Sequence, residues 1–225
     1  MTKLLFVFFA GLFCLNTKLS FADPMTVLAM GDSTTAGTPA FRSPVEAPPA
    51  GRGNPESQYT YWLGKKNPQW QILNRGVNGE RTDQISRRLE KDLKEIKPQM
   101  VILLAGINDL YQGFDTGRVS DHLKEMYNLI GKSGARVVVC TILPYDEAST
   151  EVLSRIQEVN GWIKSYAVAK KYIFCDTYQA VENPSKPGKL IGSPDGLHPD
   201  VDAYRKMGEA IAEVFKKELQ GTNGQ

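Results

Sequence analysis

Five short, apolar, largely β-branched runs punctuate the chain at Thr26 to Met30, Gln71 to Asn74, Met100 to Ala105, Arg136 to Cys140 and Tyr172 to Asp176, and amphipathic stretches lie between them. Strands that alternate with helices in this way are wound into a parallel sheet covered on its faces. The intervening stretches carry helical spacing. Ile85, Leu89, Leu93 and Ile96 precede Pro98, and Val119, Leu123, Met126 and Ile130 precede Gly134; a third set is Val152, Ile156, Val159, Ile163 and Tyr166, and a fourth is Tyr204, Met207, Ile211 and Phe215. Each set places one apolar stripe on a helix face that must be buried. The expected fold class is therefore α/β, a three-layer α/β/α arrangement around a central, mostly parallel sheet of about five strands. At 225 residues, 41% of them hydrophobic and 23% charged, the chain suits one domain.

The first residues follow another pattern. Lys3 precedes an unbroken apolar run from Leu4 to Leu15, and Ser20-Phe21-Ala22 stands before Asp23-Pro24. This is the layout of a cleaved signal peptide over residues 1–22, leaving a single domain over 23–225 that is secreted or periplasmic. A helix of that apolar length rises about 18 Å, short of the roughly 30 Å of a bilayer core, so no stable membrane span is expected. Cys14 follows the bulky Phe13 where a lipidation site calls for a small residue. The formal charge of +2 drops to zero when Lys3 and Lys18 leave with the leader. A neutral chain without a Lys/Arg cluster offers no footprint for nucleic acid or an anionic membrane, and a small neutral substrate fits better. Cys140 and Cys175 then remain, each closing an apolar run; an oxidising compartment permits a disulfide, but positions inside packed strands do not favour one. Two cysteines and two histidines make a zinc site improbable, and neither a metal nor an organic cofactor is expected.

The stretch 38–60 breaks the compact rhythm. Pro39, Pro44, Pro48, Pro49 and Pro55 fall within it, along with Gly51 and Gly53. No helix or central strand tolerates that density, so this is a long loop insertion, either a lid that contacts substrate or a surface excursion.

Chemistry concentrates at the ends of strands. Gly31-Asp32-Ser33-Thr34-Thr35-Ala36-Gly37 follows the first strand directly, at the carboxyl edge where open α/β sheets bind their ligands. Such a small-residue loop could hold a phosphate on backbone amides, but it lacks the Lys of a G-x-x-x-x-G-K-[ST] loop and the G-x-G-x-x-G pattern, so a serine nucleophile is the better reading. A serine hydroxyl needs a base at neutral pH, most often imidazole. His122 lies inside an amphipathic helix and reads as structural or solvated. His198 lies in the turn-rich Ser193-Pro194-Asp195-Gly196-Leu197-His198-Pro199, where Asp195 can fix its tautomer and steady the imidazolium, or serve as a turn residue before Gly196.

These blocks, with Asn74-Arg75-Gly76-Val77-Asn78-Gly79-Glu80-Arg81-Thr82 and Gly106-Ile107-Asn108-Asp109 between them, resemble the SGNH, or GDSL, hydrolase family in order and approximate spacing from about Thr26 to Phe215. The resemblance implies a flavodoxin-like sheet with the first strand central and a serine esterase mechanism. It implies Ser33, Asp195 and His198 as the catalytic residues, and Ser33, Gly79 and Asn108 as the oxyanion hole. Charge developing on a carbonyl oxygen needs donors already in place, which a backbone amide at Gly79 and a side-chain amide at Asn108 can supply. Asp32 and Asp109 are expected to brace their loops. Relatives of this kind cleave carbohydrate acetyl esters, short aryl esters, thioesters or lysophospholipids. A lipid acyl hydrolase, an acyltransferase and a non-catalytic glycan- or phosphate-binding protein therefore stand beside a short-chain or acetyl esterase. Tyr59, Tyr61, Trp62, Tyr111 and Tyr145 could offer rings to a sugar or could be packing residues.

Overall fold

The computed structural model describes residues 24–221, so the expected leader over 1–22 lies outside the described residues. In chain order the elements are β1 (Thr26–Gly31), α1 (Ser33–Ala36), β2 (Phe41–Arg42), β3 (Arg52–Gly53), α2 (Tyr59–Lys66), β4 (Gln71–Gly76), α3 (Thr82–Ile96), β5 (Met100–Leu104), α4 (Ile107–Tyr111), α5 (Thr116–Lys132), β6 (Arg136–Cys140), α6 (Thr150–Lys170), β7 (Ile173–Cys175), α7 (Thr177–Val181) and α8 (Val201–Gly221).

Five strands form one sheet in the order β4-β1-β5-β6-β7, and every pairing is parallel. The five expected strands are these five, within a residue or two at their ends. This is the flavodoxin-like order. The first strand was expected to be central; it is interior, but the middle strand is β5. Register aligns Gly31 with Gly76 of β4 and Leu104 of β5, so the carboxyl ends of three strands deliver their following loops side by side.

Successive strand residues point to opposite faces, and the core divides accordingly. Leu28, Met30, Val101, Leu103, Val137 and Val139 pack with Ile85 and Leu89 of α3, Leu123 and Met126 of α5 and Ile156 and Val159 of α6. Val27, Ala29, Ile102, Leu104 and Val138 face Leu63 of α2 and Tyr204, Met207, Ile211 and Phe215 of α8. All four helical stripes read from the sequence are thus buried where a three-layer fold needs them. Cys140 and Cys175 are paired in register across β6 and β7 and are buried free thiols. The hydrogen bond from Cys175, then burial and the charge of that neighbour, push the Cys140 thiol well above its usual value.

Helix α2 was not expected. It is only eight residues long and buries Tyr59, Thr60 and Leu63, too short a stripe to stand out as a period. The preceding 38–58 stretch is built rather than loose: Phe41 and Ser43 are buried, β2 and β3 pair antiparallel, and Gln58 enters the core side.

Candidate active site

The nucleophile candidate starts a helix at the end of β1. Asp32 caps α1 by accepting a hydrogen bond from Thr34 N–H (3.0 Å), and the backbone N–H of Ala36 and Gly37 close the turn onto the carbonyls of Asp32 and Ser33, each at 2.9 Å. This turn packs so tightly against β4 that a Cβ on Gly76 would collide with the backbone of Thr35 and Ala36, which is why a glycine ends that strand. Asn74 ties the same elements by donating to the Thr35 carbonyl (2.7 Å) and to Gln58 Oε1 (2.7 Å). Ser33 is held, nearly buried, at the carboxyl edge.

The loop before α8 brings up the second group. Asp195 Oδ2 lies 2.7 Å from His198 Nδ1, and its Oδ1 accepts from the backbone N–H of His198 (2.8 Å) and Leu197 (3.0 Å). Partial desolvation works to raise the Asp195 pKa, but the hydrogen bonds from the His198 backbone, the His198 ring and the Leu197 backbone, with the His198 charge, outweigh it and hold the carboxyl below its ordinary value. An ionised carboxylate can only accept, so Nδ1 carries the proton and the lone pair sits on Nε2. Nε2 is buried and has no hydrogen-bond partner. Ser193 Oγ donates to the His198 carbonyl (2.7 Å), fixing the backbone from the other side.

His198 and Ser33 line one cleft with Asp32, Thr34, Asn108, Leu104, Ala105, Ile107, Ile142, Leu143, Pro144 and Leu197, about 390 Å³ with its mouth included. The hydrogen bond between the serine hydroxyl and Nε2 is not closed, as is common before substrate tightens such a pair. Three of the expected site residues, Ser33, Asn108 and His198, therefore meet in the cleft, with Asp195 behind the ring.

Gly79 is one loop back. It does not line the cleft; it sits in the β4–α3 connection at φ 76°, a left-handed conformation that suits glycine. Asn108, in the first turn of α4, joins this connection to the cleft by donating from Nδ2 to the Glu80 carbonyl (2.9 Å), which leaves its second amide hydrogen for another acceptor. The neighbouring Asp109 is a brace, as expected: its two oxygens accept from Thr82 N–H (2.9 Å) and Thr82 Oγ (2.7 Å), capping α3. Because the Thr82 hydroxyl gives its hydrogen to Asp109, His122 Nδ1 at 2.9 Å donates to Thr82. His122 thus supports the cap from α5, a structural role that no local pattern around it announces.

Asp32 carries a titration of its own. Burial, followed by the Thr34 N–H that lowers it and the negative Asp109 that raises it, brings its carboxyl up from 3.8 to about 7. The folded protein then binds more protons than the unfolded chain between those values, so stability falls as pH rises through that window. Asp32→Asn keeps an acceptor for Thr34 N–H and removes the charge. The variant is expected to gain on the wild type by roughly 4 kcal/mol between pH 4 and pH 8 in denaturant titrations. A stability difference that does not change with pH would rule this out.

Of the five aromatics, Tyr59 is wholly buried with its hydroxyl on Thr35 Oγ (3.2 Å), and Tyr145 is buried too. Tyr61 and Trp62 pack on each other edge to face, with Trp62 Nε1 donating to the Glu56 carbonyl. Only Tyr111, at the end of the helix that carries Asn108, is freely exposed (63%), and its ring meets Tyr145 at 6.2 Å.

Comparison with known proteins finds similarity along most of the chain. The model of the GDSL-like Lipase/Acylhydrolase family matches residues 29–206. An arylesterase of Vibrio mimicus is 24% identical over 207 residues, covering 92% of this chain and 95% of its own. Thioesterase 1/protease 1/lysophospholipase L1 of Escherichia coli K12 is 25% identical over 224 residues, covering 94% and 90%. Among solved structures, one from Desulfitobacterium hafniense DCB-2, described as lipolytic and of the G-D-S-L family, superposes with a TM-score of 0.70 at 26% identity, covering 84% of this chain and 99% of its own.

Proposed function

Because the chain belongs to the GDSL-like lipase/acylhydrolase family and is a carboxylic ester hydrolase of that family, we propose that it cleaves short-chain acyl or acetyl esters, such as O-acetylated carbohydrates, through an acyl-enzyme on Ser33. The observation that carries this reading is His198: its Nδ1 is engaged by Asp195 while its buried, unpartnered Nε2 shares the cleft with Ser33.

Ser33 Oγ attacks the ester carbonyl carbon as Nε2 takes the hydroxyl proton. The negative charge moves onto the carbonyl oxygen, where the free amide hydrogen of Asn108 and the backbone N–H groups of Gly79 and Ser33 are the candidate donors. Collapse expels the alcohol, which receives the proton from the imidazolium. Water, deprotonated by the same Nε2, then attacks the acyl-serine and releases the acid. As the acid leaves, the imidazolium gives the water-derived proton to Ser33 Oγ, so the proton lost with the alcohol is replaced and Ser33 and His198 return to their starting states.

A short acyl group is supported by the cleft, which encloses little space behind its mouth. Leu104, Ile107, Ile142 and Leu143 give it apolar walls suited to an acyl methyl, and Tyr111, exposed at the end of the helix that carries Asn108, offers a ring face to a sugar. The rival reading is a lipid acyl hydrolase, favoured by the name of the Escherichia coli relative. A series of 4-nitrophenyl esters separates the two: kcat/KM is expected to fall at least about tenfold from acetate to decanoate, since a single methylene that does not fit costs about 1–3 kcal/mol. Acetate release from acetylated xylan should likewise exceed fatty-acid release from a lysophospholipid. A rise in kcat/KM with chain length would transfer the function to lipid esters. The leader-like residues 1–22 support export, and a mature exported protein beginning at Asp23 is the mass-spectrometric result that export requires.

A further inference from the structure

The proline-rich excursion leaves the nucleophile's turn and ends in α2, and on the way it touches the loop that carries Gly79 through Glu46. Phe41 N–H bonds to the Gly37 carbonyl (2.9 Å), starting the excursion one residue after α1. Pairing of Phe41 with Gly53 and of Arg42 with Arg52 closes a small hairpin. Within it, Ser43 to Ala47 forms a turn in which Glu46 N–H and Ala47 N–H both bond to the Ser43 carbonyl, at 3.0 and 2.9 Å. This turn presents two groups to the β4–α3 connection. Ser43 Oγ, fully buried, donates to the Gly76 carbonyl (2.6 Å), and Glu46 Oε1 accepts from Asn78 N–H (2.9 Å). The other carboxylate oxygen, Oε2, accepts from Ser43 N–H (3.3 Å), and Arg42 reaches the Glu46 carbonyl (3.4 Å).

We propose that Glu46 is a positioning residue that fixes the Gly79 amide for the oxyanion, an inference that rests on the ester-hydrolase reading of the cleft. The connection needs such a hold. Gly79 has a positive φ, and no atom lies within 4 Å of where its Cβ would be, so nothing packs against the tip from that side. Its amide belongs to the peptide unit that follows Asn78, so only the two backbone torsions of Asn78 separate it from the Val77–Asn78 peptide that Glu46 holds. The connection is pinned on the near side by Asn108 at Glu80 and on the far side by Ser43 at Gly76. Val77 N–H on the Gly31 carbonyl (3.1 Å) and Glu80 N–H on the Val77 carbonyl (3.3 Å) shape the turn, and Glu46 adds a charge-assisted bond directly beside the glycine, the hold that comes from the excursion. No residue of the excursion lines the cleft itself, so its contribution to the reaction runs through this loop.

The test compares wild type, Glu46→Ala and Glu46→Gln in two readouts: steady-state kinetics on 4-nitrophenyl acetate, and amide hydrogen exchange of the peptide spanning 76–80. Glu46→Ala is expected to lower kcat by about 10- to 100-fold, as a donor displaced by a fraction of an ångström would, with KM within about twofold of wild type. Exchange over 76–80 should rise in the same variant. Glu46→Gln retains an acceptor for Asn78 N–H and is expected to restore most of both. Should Glu46→Ala not fold, Glu46→Asp withdraws the carboxylate by one methylene and should shift both readouts in the same direction. Unchanged kcat, or a change confined to KM, overturns the proposal, as does unchanged exchange over 76–80. Wild-type protein without esterase activity would sink the hydrolase reading instead, and the exchange result would still report on the brace.

Discussion

Ser33→Ala is expected to lower kcat for ester hydrolysis by at least about 10⁴-fold while leaving the melting temperature near that of the wild type, since removing the nucleophile of a serine hydrolase eliminates the covalent route and leaves only binding and charge stabilisation. The expected stability follows from the packing. Ser33 is 4% exposed, but the turn it occupies is held by backbone bonds to its own carbonyl and by the Asp32 cap, none of which uses the hydroxyl. The alanine also improves local helix propensity slightly. Kinetics with a chromogenic ester and a thermal melt on the same preparation decide the point. Substantial turnover by a folded variant would remove Ser33 from the reaction.

Asn108→Ala has the next largest expected effect, a fall of about 10² to 10³ in kcat with a much smaller change in KM, the range seen when one oxyanion donor is deleted. Two losses combine in this variant. The amide hydrogen free for the oxyanion disappears, and so does the bond to the Glu80 carbonyl that ties the Gly79 loop to the cleft. Asn108→Asp incurs both losses as well, because a carboxylate donates to neither, and it adds a negative charge next to the developing oxyanion; it should be at least as impaired as the alanine variant. An Asn108→Ala enzyme with wild-type kcat would leave the oxyanion without this donor.

Much of this architecture can be read from the chain because its strands bury both faces. Val101 to Leu104 and Val137 to Cys140 have no solvent-facing position at which a polar residue would interrupt the run. Their lengths and the helical stripes between them are enough for an α/β/α sandwich. The positions of Ser33 and Asn108 are legible for the same reason, since residues just beyond parallel strands gather at one edge, whereas His198 follows α7 and is marked by Asp195 three residues before it. What escapes a linear reading is held by long-range polar contacts with no period. Glu46 and Asn78 are 32 residues apart, and His122 and Thr82 are 40 apart. Nothing near Glu46 distinguishes it from any surface glutamate. The five prolines of 38–60 argue correctly against helix or core strand there, but they do not reveal that the stretch folds back as a hairpin and ends in α2. The flavodoxin-like strand order comes from the family resemblance and not from periodicity, because strand order is set by how crossovers pack on the finished sheet.

All the chemistry proposed here requires that one hydroxyl be made reactive by the imidazole across the cleft. Treating the purified protein with a fluorophosphonate ester and mapping the adduct by peptide mass spectrometry tests that requirement directly. The expected result is a single phosphonyl group on the peptide containing Ser33, formed in step with loss of esterase activity. Full inactivation with the adduct on another residue, or an unmodified Ser33 in protein that still turns over ester, would contradict it.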